Sequence, residues 1–244
     1  LRHRGQRDAG ARLDQRGDSM NFFGRGVMAT TGSRLTLPTA NLIAAYDARA
    51  GVTDDGSGLC SAWADQSGNG FNATQTTAGA RPAISSTGGL ASLLFNGTSH
   101  QLFTPAITAT TGVKTIYVVS KQTSVPTNYR TIFSPSPQLF GVVPSVGIYG
   151  MYDGTARGSG ITSTTNLTRL AFETLYAAST ARTWVNGVAG TAHAWTGTGA
   201  IPLGSIGAFN RGSDFFAGHI LALYIYGAAR DTAVEAYITQ EWGV

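Results

Sequence analysis

The chain has 244 residues, enough to bury a substantial core, yet only 12% are charged while glycine occurs 32 times. Its single cysteine, Cys60, excludes an intrachain disulfide and a cysteine-based zinc site, and no run of 18 apolar residues supplies a membrane-crossing helix. The net charge of +4 sits mostly in residues 1–27, where six arginines face three aspartates, so the basicity belongs to an N-terminal arm and not to the domain beyond it.

Residues 1–37 read as an extended basic arm. It has almost no apolar periodicity before Phe22 and Phe23, a composition that stays disordered on its own. Such a segment gains order only against a partner, so Arg2, Arg4, Arg7, Arg12, Arg16, Phe22, Phe23 and Arg25 are expected to dock on neighbouring protein subunits. Nucleic acid is the lesser expectation, because Asp8, Asp14 and Asp18 interrupt the arginines. No signal-peptide apolar core lies near the start.

From 38 to 244 the chain reads as one strand-rich domain, since low charge, much glycine and many β-branched residues suit strands and tight turns. "ANLIAAYDA" (40–48) is a first apolar run. The loop "WADQSGNGFNAT" comes next, and two jobs compete for it. Asp65 and Ser67 can bond nearby backbone N–H groups while Gly68 and Gly70 take positive φ, which makes a structural turn. Alternatively Asp65 could hold calcium, with Asp54 and Asp55 folding back to help. One carboxylate is few for a tight calcium site, which favours the turn.

Further along, "ASLLFNG" (91–97) and "HQLFTP" (100–105) read as a hairpin, and "KTIYVVSKQ" (114–122) as a buried strand. "RTIFSP" (130–135), "QLFGVV" (138–143), "SVGIYGMYDG" (145–154) and "TRLAFETLYAA" (168–178) are further strand candidates. "ARTWVNGVAGTAH" (181–193) is a hairpin on Asn186-Gly187, a pair that supplies the positive φ angles of a primed turn. "IPLGSIGAFN" (201–210) and "GHILALYIYGAA" (218–229) are the last strand candidates. The final segment is a helix: Asp231 caps it, Val234, Ile238 and Trp242 share a face, and Gly243 ends it.

Catalytic constellations are sparse. Glu173 is the one glutamate within a strand candidate, so paired carboxylates for glycoside hydrolysis are lacking. His100, His193 and His219 have no spacing that makes them converge, and no G-x-S-x-G elbow occurs. Sugar binding needs aromatic faces beside polar groups, and the loop-borne candidates are Tyr149, Tyr152, Asp153, Arg157, His193 and Trp195. Tyr149 and Tyr152 are three apart and so face opposite sides of a strand, which makes one of them a core residue. Trp63, Trp184 and Trp242 read as packing residues.

The order of the pieces carries a resemblance. A strand ending in "YDA", then "WADQSGNGFNAT", "RP", "LLFNGTSHQL", "TIYVVSKQ", "WVNGV" and "FFAGHILALYIYGAARDTAVEAYITQEWG" resembles the laminin G-like, concanavalin A-like jelly-roll superfamily, in its bacterial and phage branch. The likeness covers about residues 40–244, and the last strand with its helix ending in Trp-Gly is the most specific part. It implies an all-β fold: a two-sheet antiparallel jelly-roll sandwich with one short C-terminal helix, preceded here by the arm. It does not imply one function, because members include lectins, calcium-dependent adhesion modules, glycosidases, polysaccharide lyases and structural modules. The Glu-x-Asp-x-x-Glu-like cluster of the superfamily's glycosidases is missing.

The expectation is therefore a non-enzymatic structural or adhesion subunit of a phage-like virion: a decoration, head-fibre or tail-associated protein at the virion surface. Its arm would anchor it to neighbours, whether in a homo-oligomer or on capsid or tail proteins. The alternative is a carbohydrate-binding module on a bacterial extracellular surface, with a surface glycan as partner and calcium as the one cofactor considered. Neither nucleic acid nor a membrane is an expected partner.

Overall fold

The computed structural model of the chain describes residues 34–107, 112–135, 137–143, 147–175, 179–197, 201 and 204–244. The arm residues Arg2 to Arg25 lie outside them. The compact unit runs from Arg34 to Val244.

In chain order its strands are β1 (Leu42–Asp47), β2 (Val52–Asp54), β3 (Cys60–Trp63), β4 (Ala73–Thr74), β5 (Ala83–Thr87) and β6 (Leu90–Asn96). Next come β7 (Leu102–Thr104), β8 (Lys114–Gln122), β9 (Arg130–Pro135), β10 (Leu139–Val143), β11 (Ile148–Tyr152) and β12 (Ala156–Thr162). The last are β13 (Thr168–Leu175), β14 (Thr180–Val185), β15 (Val188–Ala194), β16 (Gly204–Ile206) and β17 (Ala217–Tyr226), with the helix α1 (Thr232–Trp242) after them. Among the described residues they form two antiparallel sheets. One is ordered β15-β14-β13-β8-β17-β6-β5, with β1 also on β17; the other is β12-β11-β10-β9-β16-β7-β4-β3-β2. The fold is an all-β sandwich, as expected.

The two sheets enclose a core that includes Tyr46, Trp63, Phe95, Phe133, Phe140, Phe172 and Phe216. A second apolar layer lies on the outer face of the first sheet, where Tyr117, Val119, Leu221 and Tyr224 meet Val234, Ile238 and Trp242 of α1. This explains the unbroken apolar runs of β8 and β17. Ile220, Leu223 and Ile225 face the inter-sheet core while Leu221, Tyr224 and Tyr226 face the helix. A strand buried on both sides has no polar face to show. Each large side chain buried this way contributes roughly 1.5–3 kcal/mol.

The helix matches its sequence signals. Asp231 Oδ1 accepts from the Ala233 N–H at 2.8 Å, and Gly243 closes the helix at φ 72°. Arg230 pairs with Glu235, and its guanidinium lies 3.9 Å from the Trp184 ring centroid. Arg34 holds Glu241, and Leu35 N–H donates to Gln240 Oε1 at 2.5 Å, so residues 34–37 strap onto α1. The "VNG" hairpin is also as expected, with Asn186 at φ 48° and Gly187 at φ 82° joining β14 to β15.

The hairpin expected over 91–105 is not one. β6 pairs with β5 and β17 in the first sheet, whereas β7 pairs with β4 and β16 in the second. Asn96 Oδ1 accepts from the N–H groups of Thr98, Ser99 and His100 (2.9–3.1 Å) and bends the chain across from one sheet to the other. The same Gly-containing turn signal serves a hairpin and a sheet-to-sheet crossover, and only the neighbours distinguish them. β2, β3, β4, β5 and β12 are not foreseen from the sequence because they are short or largely exposed and carry no apolar run, and the loop expected over 63–74 begins on the last residue of β3 and ends in β4.

Candidate functional site

The loop 64–72 is a structural turn. Asp65 Oδ1 accepts from the backbone N–H of Ala45 and of Ser67, both at 2.9 Å. Its Oδ2 accepts from Phe71 N–H at 3.0 Å and lies 2.8 Å from the Ser67 hydroxyl. Asn72 Oδ1 accepts from Asp65 N–H, and Asn69 Nδ2 donates to the carbonyls of Leu42 and Ile43. Gly68 and Gly70 supply the positive φ angles, 88° and 80°. The loop thus closes onto the edge of β1. Both oxygens of Asp65 already face donors, the wrong partners for a cation. Asp54 and Asp55 cap their own turn, and Asp55 pairs with Arg81 at 2.7 Å. No group of three metal-ligating side chains occurs among the described residues.

The six sequence-derived sugar candidates separate. Tyr149 is 1% exposed in the inter-sheet core, its hydroxyl near Gln122, Thr164 and Thr168. Trp195 is 3% exposed and stacks on Phe140 with ring centroids 6.0 Å apart. Neither offers an aromatic face to solvent. Asp153 lies beneath the surface, bonded to Arg157 Nε at 3.2 Å and to the N–H and hydroxyl of Thr196 at 2.8 and 3.0 Å. Burial pushes the Asp153 carboxyl up, but Thr196 and Arg157 together hold it below the usual carboxylate range. His193 Nε2 is 2.6 Å from the Gly158 carbonyl and ties β15 to β12. These groups close one side of the sandwich.

The remaining histidines are equally occupied. His219 Nδ1 is 3.0 Å from Ser92 Oγ and His100 Nδ1 is 3.3 Å from the Leu94 carbonyl. Burial lowers both imidazole pKa values, His219 further by Lys121. His193 and His219 are on β15 and β17, four strand spacings or about 19 Å apart, so they do not converge. Glu173 accepts from Trp184 Nε1 and from Arg230 N–H.

Tyr152 is different. Tyr149 and Met151 point into the core, so Tyr152 emerges on the outer face of the second sheet. There it lines a cleft of about 210 Å³ with Tyr129, Leu139, Phe209 and Asp214. Tyr129 and Phe209 stand edge-on to the Tyr152 ring at centroid distances of 5.7 and 5.9 Å. Leu139, the cross-strand partner of Tyr152, is buried beneath them. Neither phenol hydroxyl of the cleft bonds to a described residue. Asp214 Oδ2 receives the Ser213 hydroxyl at 3.1 Å, and Oδ1 has no partner among the described residues. Burial raises the pKa of Tyr129, with Tyr152 and Asp214 adding to it, so this phenol keeps its proton.

The loop 207–216, between β16 and β17, carries two of these residues and is held firmly. Gly207 N–H donates to the Ile132 carbonyl, Phe216 N–H to that of Gly207, and Thr131 N–H to that of Asp214, all near 2.9 Å. Phe209 and Ser213 bridge each other. Gly207 sits at φ 88°, and a β-carbon there would fall 2.3 Å from the Phe95 ring. Asn210, Arg211 and Asp214 all adopt left-handed φ angles of 46–63°, a conformation that Asn and Asp tolerate and that strains the backbone at Arg211. Such strain clusters where a loop must present side chains in one fixed arrangement.

Fold and site together define an antiparallel β-sandwich with an aromatic, carboxylate-bearing cleft on one outer face. The sequence matches no protein-family model and no curated protein. Solved structures with this fold include domain 4 of AbnA, an extracellular GH43 arabinanase of Geobacillus stearothermophilus in complex with arabinotriose. The match has a TM-score of 0.52 at 20% identity, over 80% of this chain and 98% of that one. A Trypanosoma rangeli sialidase in complex with sialic acid matches at TM-score 0.55 and 13% identity, over 84% of this chain and 34% of that chain. The binding domain of botulinum neurotoxin DC, in complex with SialylT, matches at TM-score 0.52 and 9% identity, over 83% and 52%. The chain thus spans about a third of the sialidase and half of the neurotoxin domain. At these identities the likeness is one of fold.

Proposed function

We propose that residues 34–244 form a carbohydrate-binding module that binds without cleaving, with the cleft of Tyr129, Tyr152, Phe209 and Asp214 as its ligand site. One observation carries this. Around an apolar floor the cleft holds two phenols and a carboxylate oxygen without partners among the described residues. Aromatic faces receive the C–H side of a sugar ring, and a few placed polar groups fix its orientation. The fold supports the same reading, since structures sharing it were solved with arabinotriose, sialic acid and SialylT. That support favours the lectin-like alternative over the virion subunit, whose anchoring arm lies outside the described residues. Binding without cleavage is supported by acid count: the usual hydrolytic arrangement sets two carboxylates across the bond, and Asp214 is the one acid among the described residues that line the cleft. Membership of the laminin G-like, concanavalin A-like branch, and a place on an outer surface, are the finer form of the proposal.

The test is a glycan array and titration calorimetry on the full chain and on Tyr152→Ala. Binding should fall at least tenfold in the variant while its melting temperature stays close to the parent. Undiminished binding would remove the cleft from consideration.

A further inference from the structure

We infer that the cleft selects neutral, hydroxyl-rich sugars and rejects acidic ones such as sialic and uronic acids. The inference rests on reading the cleft as a glycan site.

Among the described residues that line it, Asp214 is the one charged side chain. Two arginines are close in sequence, but neither is among the described residues that line the cleft. Arg130 Nη1 donates to the Phe215 carbonyl at 3.2 Å. The Arg211 guanidinium lies 4.5 Å from the Phe103 ring centroid and donates to the Thr104 carbonyl at 3.3 Å. A sugar carboxylate seated on the rings would therefore meet a like charge, with no cation among the described residues of the cleft lining to offset it. In a half-buried cleft water screens that repulsion incompletely.

A neutral sugar suits the same groups. Its hydroxyls donate to Asp214 Oδ1 in charge-assisted hydrogen bonds, which are about twice as strong as neutral ones. Its oxygens accept from the phenols of Tyr129 and Tyr152, and Tyr129 is kept protonated by its surroundings. The fold's neighbours include part of a sialidase solved in complex with sialic acid, so the fold does not by itself set selectivity. Selectivity resides in the site, and this site is anionic.

The experiment pairs neutral and acidic probes on the full chain. Lactose is compared with sialyllactose, and neutral with uronic-acid oligosaccharides, for the parent, Asp214→Asn and Tyr152→Ala. Asparagine keeps the shape of aspartate and tolerates the left-handed backbone of position 214, at φ 48°. The expected result is neutral probes binding at least tenfold more tightly than their acidic counterparts. In Asp214→Asn neutral binding should weaken about tenfold and the gap should close to within about threefold, in line with the loss of a charged hydrogen bond. Tyr152→Ala should abolish binding of both. If acidic probes bind as tightly as neutral ones and Tyr152→Ala still abolishes binding, the glycan site stands and the selectivity is overturned. A gap that survives Asp214→Asn overturns it too, since another group would then be the selector. If nothing on a broad array binds, or Tyr152→Ala changes nothing, the glycan reading itself falls and takes the selectivity with it.

Discussion

Two loops of this molecule are built from the same vocabulary and do opposite things. The loop 65–72 and the loop 207–216 are both rich in Gly, Asn, Ser and Asp, and both pass through left-handed backbone. In the first, Asp65 receives three backbone N–H groups and faces a hydroxyl, and Asn69 and Asn72 are also bonded to the chain. In the second, Asp214 keeps one oxygen without a partner among the described residues, beside two phenols in the same condition. Composition does not separate a turn from a site. What separates them is how many polar groups the fold itself consumes.

The sharpest way to break this contrast is the same substitution in both loops. Asp65→Asn sets an amide NH₂ against donors of the loop and should destabilise the protein by about 3 kcal/mol in denaturant melts. EDTA should leave the parent's melting temperature unchanged; a drop would restore calcium to this loop. Next in size is Gly207→Ala, which forces a β-carbon into the buried Phe95 ring at positive φ and should cost about 2 kcal/mol. It should also weaken glycan binding, because the loop it anchors carries Phe209 and Asp214.

A smaller effect concerns the strap over α1. Arg34 above all, then Arg49, hold the Glu241 carboxyl at about 2, below its ordinary 4.5, against the opposing effect of burial. A depressed folded pKa stabilises above the unfolded value, so this contribution is complete above pH 4.5 and is lost as pH falls toward 2. Arg34 is 77% exposed and its charge is screened by solvent, so the loss should be small. Glu241→Gln should flatten that part of the pH–stability curve; an unaltered curve would put the acid limb elsewhere. Smallest of all, Asp214→Asn should change stability by less than about 0.5 kcal/mol, since it removes no bond the fold depends on.

Scaffold and site differ in how much of them the sequence makes legible. β8, β17 and α1 can be read because burial on both faces, a capping Asp231 and a closing Gly243 leave local traces. The turn at Asp65 is legible for the same reason: its partners lie within a few residues or on β1. The crossover after β6 reads as a hairpin because its true pairing depends on β16 and β17, over a hundred residues later. The cleft is legible only through Tyr152. Tyr129, Leu139 and the loop that carries Phe209 and Asp214 are three separate segments, gathered by the pairing of β9 with β10 and β16 and of β10 with β11. One trace does exist: "FNRGSDFF" (209–216) is dense in residues that tolerate left-handed backbone, between two strands.

The pairing of β1 with β17 brings the first and last strands of the domain side by side. Residues 34–37 and α1 lie together over the outer face of the first sheet. The cleft opens on the outer face of the second. The domain therefore has a back and a front. A change in the strap or in α1 therefore reaches the cleft only through the full thickness of both sheets.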